Sequence, residues 1–136
     1  MKETEAFERL ATAPVARLAT VDRAGRPHVV PIVFALSGDT IVSAVDFKPK
    51  RTRALKRLAN IEANPRVSVL ADEYSEDWSK LWWVRVDGSA RVVAAEGAAA
   101  WLSLLIDKYD QYRTLPPDGP VILITITDVL GWSASD

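Results

Sequence analysis

Between Lys48 and Arg57 the chain carries six basic residues (Lys48, Lys50, Arg51, Arg53, Lys56 and Arg57) and no acid. The run leaves a strand near Val45, turns through Pro49 and enters a helix that Thr52 can cap. A helix N-terminus presents unpaired N–H groups and a partial positive charge, so cations placed there oppose the dipole unless an anion is expected. Lys50, Arg51 and Arg53 therefore read as a site for a ligand's phosphate. Lys56 and Arg57, further along the same helix, read as an ordinary solvated face.

The other chemically able residues are fewer. His28 is the only histidine. Its ring suits proton transfer near neutral pH, but among alternating apolar residues it reads first as a packed or rim imidazole. Asp72, Glu73, Glu76 and Asp77 cluster in a segment that reads as a solvated acidic loop rather than a pair of catalytic carboxylates. With no cysteine, a thiolate nucleophile, a disulfide scaffold and Cys-ligated metals are excluded. No Gly-x-Ser-x-Gly elbow, Gly-x-Gly-x-x-Gly turn or Walker loop is present. Five tryptophans are many for this length. Trp101 recurs with leucines at helical spacing and reads as core. Trp82 and Trp83 are neighbours on a strand, so one faces the core and the other must meet solvent, a partner subunit or a ligand ring. Trp78 and Trp132 are also hard to assign to a core.

Alternating apolar positions with turn residues between them predict the elements that hold these side chains. A short helix capped by Thr4 runs to about Ala13, and strands cover 16–21 and 28–34 around the turn Asp22-Arg23-Ala24-Gly25. Pro31 marks an edge or a bulge. A strand over 40–45 completes an antiparallel meander. The basic helix ends at Asn64-Pro65 and a strand follows over 66–71. Residues 81–93 form a hairpin or bent strand, folded or bulged near Asp87-Gly88. One helix covers Glu96–Arg113, the loop 116–120 follows, and strands over 121–127 and 130–133 close the chain. The fold class is α+β, a small split β-barrel of six to seven mostly antiparallel strands with two to three helices.

The chain has 136 residues, 49% hydrophobic and 26% charged, with net charge −1. That is the size and composition of one globular domain spanning 1–136, and the charge gives no global pull toward nucleic acid or membranes. The longest apolar run, Val29 to Leu36, falls well short of the ~20 residues a spanning helix needs. The first ten residues, MKETEAFERL, hold no signal-peptide core, so a cytoplasmic location is expected.

Three stretches together carry a family resemblance: Arg17-Leu18-Ala19-Thr20-Val21, Gly25-Arg26-Pro27-His28-Val29-Val30-Pro31-Ile32, and Lys50-Arg51-Thr52-Arg53 leading to Asn64-Pro65-Arg66-Val67. They resemble the pyridoxamine-phosphate-oxidase-like split barrels. The segment Glu76 to Arg85 and the ending Leu130-Gly131-Trp132 are similar to the actinobacterial branch of probable coenzyme F420 (deazaflavin)-dependent enzymes. The resemblance covers nearly the whole chain. It implies a homodimer with the cofactor ring in a groove between subunits and a small-molecule substrate. It places the phosphates at Lys50, Arg51 and Arg53, and the ring against Pro31, Ile32, Val33, Ser43, Ala44 and Val45, with Trp83 arriving from the partner. His28 and Tyr74 are the candidate proton donors. Val30 and Ala35 stand where FMN-using oxidases carry phosphate-binding cations, which favours F420 over the alternative, FMN. The expected activity is hydride transfer between reduced deazaflavin and a small organic acceptor. A non-catalytic flavin-binding or deazaflavin-binding module would use the same groove. A nucleic-acid binder would pair the basic run with exposed tryptophans.

Overall fold

Alternating apolar residues build seven strands of one antiparallel sheet. The structure is a computed structural model that describes residues 1–45 and 51–136, over 51–55 by backbone alone. Helix α1 (Glu3–Thr12) turns Ala6 and Leu10 inward. Thr4 does not cap it; Lys2 holds the N-cap position without a side-chain hydrogen bond, and the acids Glu3 and Glu5 complement the dipole instead.

Strands β1 (Ala16–Val21) and β2 (Pro27–Ile32) form the expected hairpin. Its turn depends on Gly25, at φ +84°, and on the Asp22 carboxylate, which accepts the N–H groups of Ala24 (2.9 Å) and Arg26 (2.8 Å). Strands β3 (Ala35–Ser37) and β4 (Thr40–Ala44) form a second hairpin. Helix α2 (Arg51–Ala63) precedes β5 (Arg66–Glu73), followed by the long strands β6 (Trp82–Val93) and β7 (Val121–Ser133).

The expected meander is not what forms. The strand order is β2-β1-β5-β6-β7-β4-β3, so β2 and β3 lie at opposite edges of the sheet although only Val33 and Phe34 separate them in the chain. Two residues can span about 11 Å at most between Ile32 and Ala35, so the sheet curls until its edges nearly meet. Pro31 lies on an edge strand, where its missing N–H costs no ladder bond.

The bulge near Asp87-Gly88 is present, and the extra residue belongs to β7. Asp87 faces Asp128 while Gly88 faces Ile126, which leaves Thr127 unpaired. The inward positions of β7 therefore change from Ile122, Ile124 and Ile126 to Val129, Gly131 and Ser133. That phase change is why two strands are expected there and one continuous strand forms.

Four α-helices are found among the described residues, not two or three. The expected helix over 96–113 starts as a 3-10 turn at Ala95–Gly97 and then divides into α3 (Ala99–Lys108) and α4 (Asp110–Thr114). Tyr109 between them is extended, with φ −119° and ψ 117°. Its hydroxyl is tied to the backbone of Pro14 and Phe34, and that tertiary anchor overrides helix propensity.

Two apolar cores result. Inside the curl, Leu18, Val69, Val84, Val86, Ile122 and Ile124 pack with α1 and with Ile61 of α2. Outside it, Ala35, Val42, Ala44, Val121 and Leu123 pack under Leu105 of α3. No helix among the described residues is long and apolar enough to cross a membrane.

Candidate functional site

Helices α3 and α4 cover only one half of the sheet's outer face. Across the other half the strand registers set three rows of side chains. The first runs Val29, Ala19, Ser68, Asp87 and Asp128; the second runs Pro31, Arg17, Leu70, Arg85 and Leu130; the third runs Asp72, Trp83 and Trp132. On this uncovered face Val29 is 60% exposed at the β2 edge, and Leu130 and Trp132, four strands away on β7, are 51% and 44% exposed, with Arg17, Arg85 and Asp87 between. Arg17 and Asp72 form an ion pair across it at 3.3 Å. The adjacent tryptophans divide as expected. Trp82 packs against the inner core with the Arg9 guanidinium 5.3 Å from its ring, and Trp83 lies outside beside Trp132.

The structure brings the strand-borne residues expected to line a cofactor together at the point where the sheet's edges meet. The Ser43 hydroxyl donates to the Val33 carbonyl at 2.8 Å, which joins β4 to the end of β2. Pro31 is exposed and Val33 half-buried, whereas Ile32, Ser43, Ala44 and Val45 are buried. The buried four leave chiefly backbone for a ligand to touch. Because β2 is an edge strand, no neighbouring strand among the described residues uses its outer row of N–H and C=O groups, the kind of surface that can hold a polar ring edge. Trp83 is not near these residues in its own chain. It lies three strands from β2, about 14 Å at ordinary strand spacing.

Lys50, Pro49 and the side chains of Arg51, Thr52 and Arg53 lie outside the described residues; α2 already includes Arg51, so Thr52 falls inside its first turn and is not the N-cap expected of it. Arg57 departs from its expected solvated role. It falls on the same inward side of α2 as buried Asn60 and Ile61, its Nε is buried without a hydrogen-bond partner, and burial pushes its pKa down. Lys56 does face solvent, 3.7 Å from Asp22. Asp22 is the more strongly held acid, its pKa lowered to about 2 by hydrogen bonds from the backbone and side chain of Arg26.

His28 pairs in register with buried Thr20, which puts it on the inner side of the sheet with Nδ1 buried and unpartnered. It is therefore separated from the bare face that carries Trp83. Tyr74, just beyond β5, is exposed. The acidic segment is partly structured: Asp72 and Glu73 end β5, and Asp77 caps the 3-10 turn Trp78–Lys80 by accepting the Ser79 N–H at 3.1 Å.

Two residues that sequence reasoning did not single out stand beside Val33. The Tyr109 hydroxyl accepts the Phe34 N–H (3.0 Å) and faces the carbonyls of Phe34 (2.9 Å) and Pro14 (3.0 Å). Burial raises its pKa. Lys108 donates to the Ala13 carbonyl at 2.8 Å with its ammonium 4.0 Å from the Phe34 ring, while burial pushes its pKa to about 8. A hollow of about 420 Å³ opens here between Pro14, Val33, Tyr109, Gln111 and Tyr112. A larger cleft of about 700 Å³ lies beside the bulge, where Asp87 and Asp128 face each other and Arg66 is the one cation in its lining among the described residues, a net negative charge that disfavours a phosphate.

The sequence model of the pyridoxamine 5'-phosphate oxidase family matches residues 2–133. The chain belongs to that family. No curated protein matches it. Among solved structures, this pyridoxamine 5'-phosphate oxidase family member is similar to an FAD-binding protein of Mesorhizobium loti, with 26% identity, TM-score 0.72, and coverage of 96% of this chain and 94% of that one. It also resembles a conserved hypothetical protein of Mycobacterium tuberculosis, at 20% identity and TM-score 0.73 over 98% of this chain and 86% of that one. An FAD-binding protein of Mycobacterium smegmatis aligns at 22% identity and TM-score 0.66, covering 97% and 95% of the two chains. The family fold is thus the one described above, with its edges closed at Val33–Phe34.

Proposed function

We propose that the chain is an oxidoreductase acting as a homodimer around a flavin-type cofactor, coenzyme F420 in the leading reading. The observation that carries this is the separation of two surfaces suited to one planar ring. Pro31 and Val33 lie at the sheet edge, whereas Trp83 and Trp132 lie three and four strands away on the uncovered face. A second copy packed on that face by a two-fold axis brings its Trp83 over the first copy's Pro31 and Val33, and the reverse. Neither copy completes the site alone.

When bound, such a cofactor supplies the hydride chemistry. This chain holds the ring on Pro31, Val33 and the backbone of Ile32, Ser43, Ala44 and Val45, and Trp83 of the second copy excludes water. Lys50, Arg51 and Arg53 meet the phosphate. The hollow at Val33 gives a small organic acceptor room beside the ring, and exposed Tyr74 or solvent supplies any proton. His28, turned inward, has no part in that transfer.

The choice of F420 over FMN rests on the family resemblance and on residues of β2 and β3. Val30 packs against the inner core and Ala35 is buried under α3, and residues 27–37 contain no Lys or Arg. FMN is the second reading, favoured by the FAD-binding relative at 26% identity. Fluorescence titration of the purified protein with oxidised F420 and, in parallel, FMN tests both. Micromolar binding of F420 alone is expected. Preference for FMN transfers the proposal to a flavin enzyme, and binding of neither removes it.

A further inference from the structure

The seam between β2 and β3 is held by side chains where a strand pairing would otherwise be. No ladder joins the two edges among the described residues, yet three backbone groups of Val33 and Phe34 have partners. Ser43 Oγ donates to the Val33 carbonyl (2.8 Å), and Tyr109 Oη both accepts the Phe34 N–H (3.0 Å) and faces the Phe34 carbonyl (2.9 Å). The hydroxyl has one proton, shared between that carbonyl and the Pro14 carbonyl at 3.0 Å. The Phe34 ring is fully buried, with Lys108 Nζ 4.0 Å from its centre. The chain gives up helix continuity at Tyr109 to make these bonds, since the residue is extended between two helices. One hydroxyl therefore ties the loop after α1, the seam and the α3–α4 corner together.

We propose that Tyr109 is a positioning residue for the cofactor: its hydroxyl fixes the seam, and through it the Val33 backbone on which the ring lies. This rests on the functional reading above. Tyr109 lines the hollow beside Val33, but its hydroxyl is fully engaged with backbone groups of Pro14 and Phe34, so it serves by fixing geometry and not by donating a proton.

The experiment compares the full chain with Tyr109→Phe, which keeps the ring and its edge-on packing against Tyr112 (6.0 Å, 78°), and with Ser43→Ala. Amide exchange of Phe34, followed by NMR without cofactor, is expected to accelerate at least tenfold in Tyr109→Phe, while Val86 in the β6 core keeps its protection. At 10 °C, affinity for F420 or FMN, whichever the wild type binds, is expected to fall about tenfold in both variants as the Val33 backbone loosens. A residue that only stabilises the fold would leave that affinity unchanged in the folded protein. Unchanged Phe34 exchange overturns the tie itself. Faster exchange with unchanged affinity overturns the positioning role. If the wild type binds neither cofactor, the functional reading fails and takes the positioning role with it, and the exchange result still reports separately whether the hydroxyl holds the seam. Should Tyr109→Phe not fold, exchange of the Phe34 amide in the wild type decides: protection approaching that of Val86 upholds the tie to the Tyr109 hydroxyl, and exchange as fast as an unprotected loop amide overturns it.

Discussion

Gly88→Ala is the sharpest test of the ladder that carries the bare face. Gly88 sits in the bulge, buried, with β7 drawn close against it. A Cβ at this position would press into the Thr125 carbonyl oxygen and lie 2.9 Å from Ile124 Cγ2 and 3.2 Å from the Thr125 carbonyl carbon. The Ile124 methyl can turn aside; the Thr125 backbone is held by β6 on one side and β4 on the other. Overpacking against an immobile neighbour costs about 3 kcal/mol, and the loss of one ladder bond about 1 kcal/mol more. The stiffer unfolded chain returns about 0.7 kcal/mol. The net, about 3 kcal/mol, lowers Tm by about 10 °C at ~2.1 cal/mol/K of unfolding entropy per residue. Gly97→Ala is the control, because its nearest neighbour would be Val93 Cγ1 at 3.8 Å. Thermal unfolding followed by circular dichroism reads both. A Gly88→Ala shift under 2 °C, or equal shifts for the two variants, refutes the close approach at the bulge.

Three further outcomes are expected. Leu130→Glu, on the exposed face, should leave the circular dichroism spectrum intact and shift the protein from dimer to monomer in light scattering; a dimer that persists moves the interface elsewhere. Thr20→Val leaves the buried Asn60 amide without the 3.0 Å bond to Thr20 Oγ1 and should cost about 1–3 kcal/mol in urea unfolding, with Asn60→Leu added on top costing less than the separate effects combined. Lys108 is held at about 8 in the folded chain against 10.5 unfolded, so between those values the unfolded chain binds the extra proton and stability rises with pH. The partly exposed amine limits that rise to about 1 kcal/mol, and above pH 10 the raised Tyr109 reverses the slope. Urea titrations from pH 7.5 to 11 should show the rise, and Lys108→Met should abolish it.

Local chemistry was legible where one short segment decides its own conformation. The turn at Asp22–Gly25, the stop at Asn64-Pro65, the break at Asp87-Gly88 and the split between Trp82 and Trp83 all follow from neighbouring residues. What was missed depends on distant partners. β3 is three residues long, and its place at the far edge is set by β4 pairing with β7, some eighty residues on. Tyr109 breaks a good helix because of backbone at Pro14 and Phe34. Arg57 sits in a run of like charge that suggests solvent, and only the seating of α2 turns it inward. The candidate site is legible in the same degree: its strand residues do converge, but the distance from Pro31 to Trp83 within one chain needs the strand order.

The order of the strands also bears on synthesis. The two hairpins, β1–β2 and β3–β4, are local and can form as soon as they leave the ribosome, already linked through Val33–Phe34. β5 and β6 then extend the sheet from β1. Until residues 121–133 emerge, β6 and β4 each present a free edge, and β7 is the strand that fills the space between them. The nascent chain therefore carries two open strand edges through most of translation, and they vanish together on insertion of a single segment. Ribosome pauses before that segment should be the moments at which this barrel is most vulnerable to aggregation.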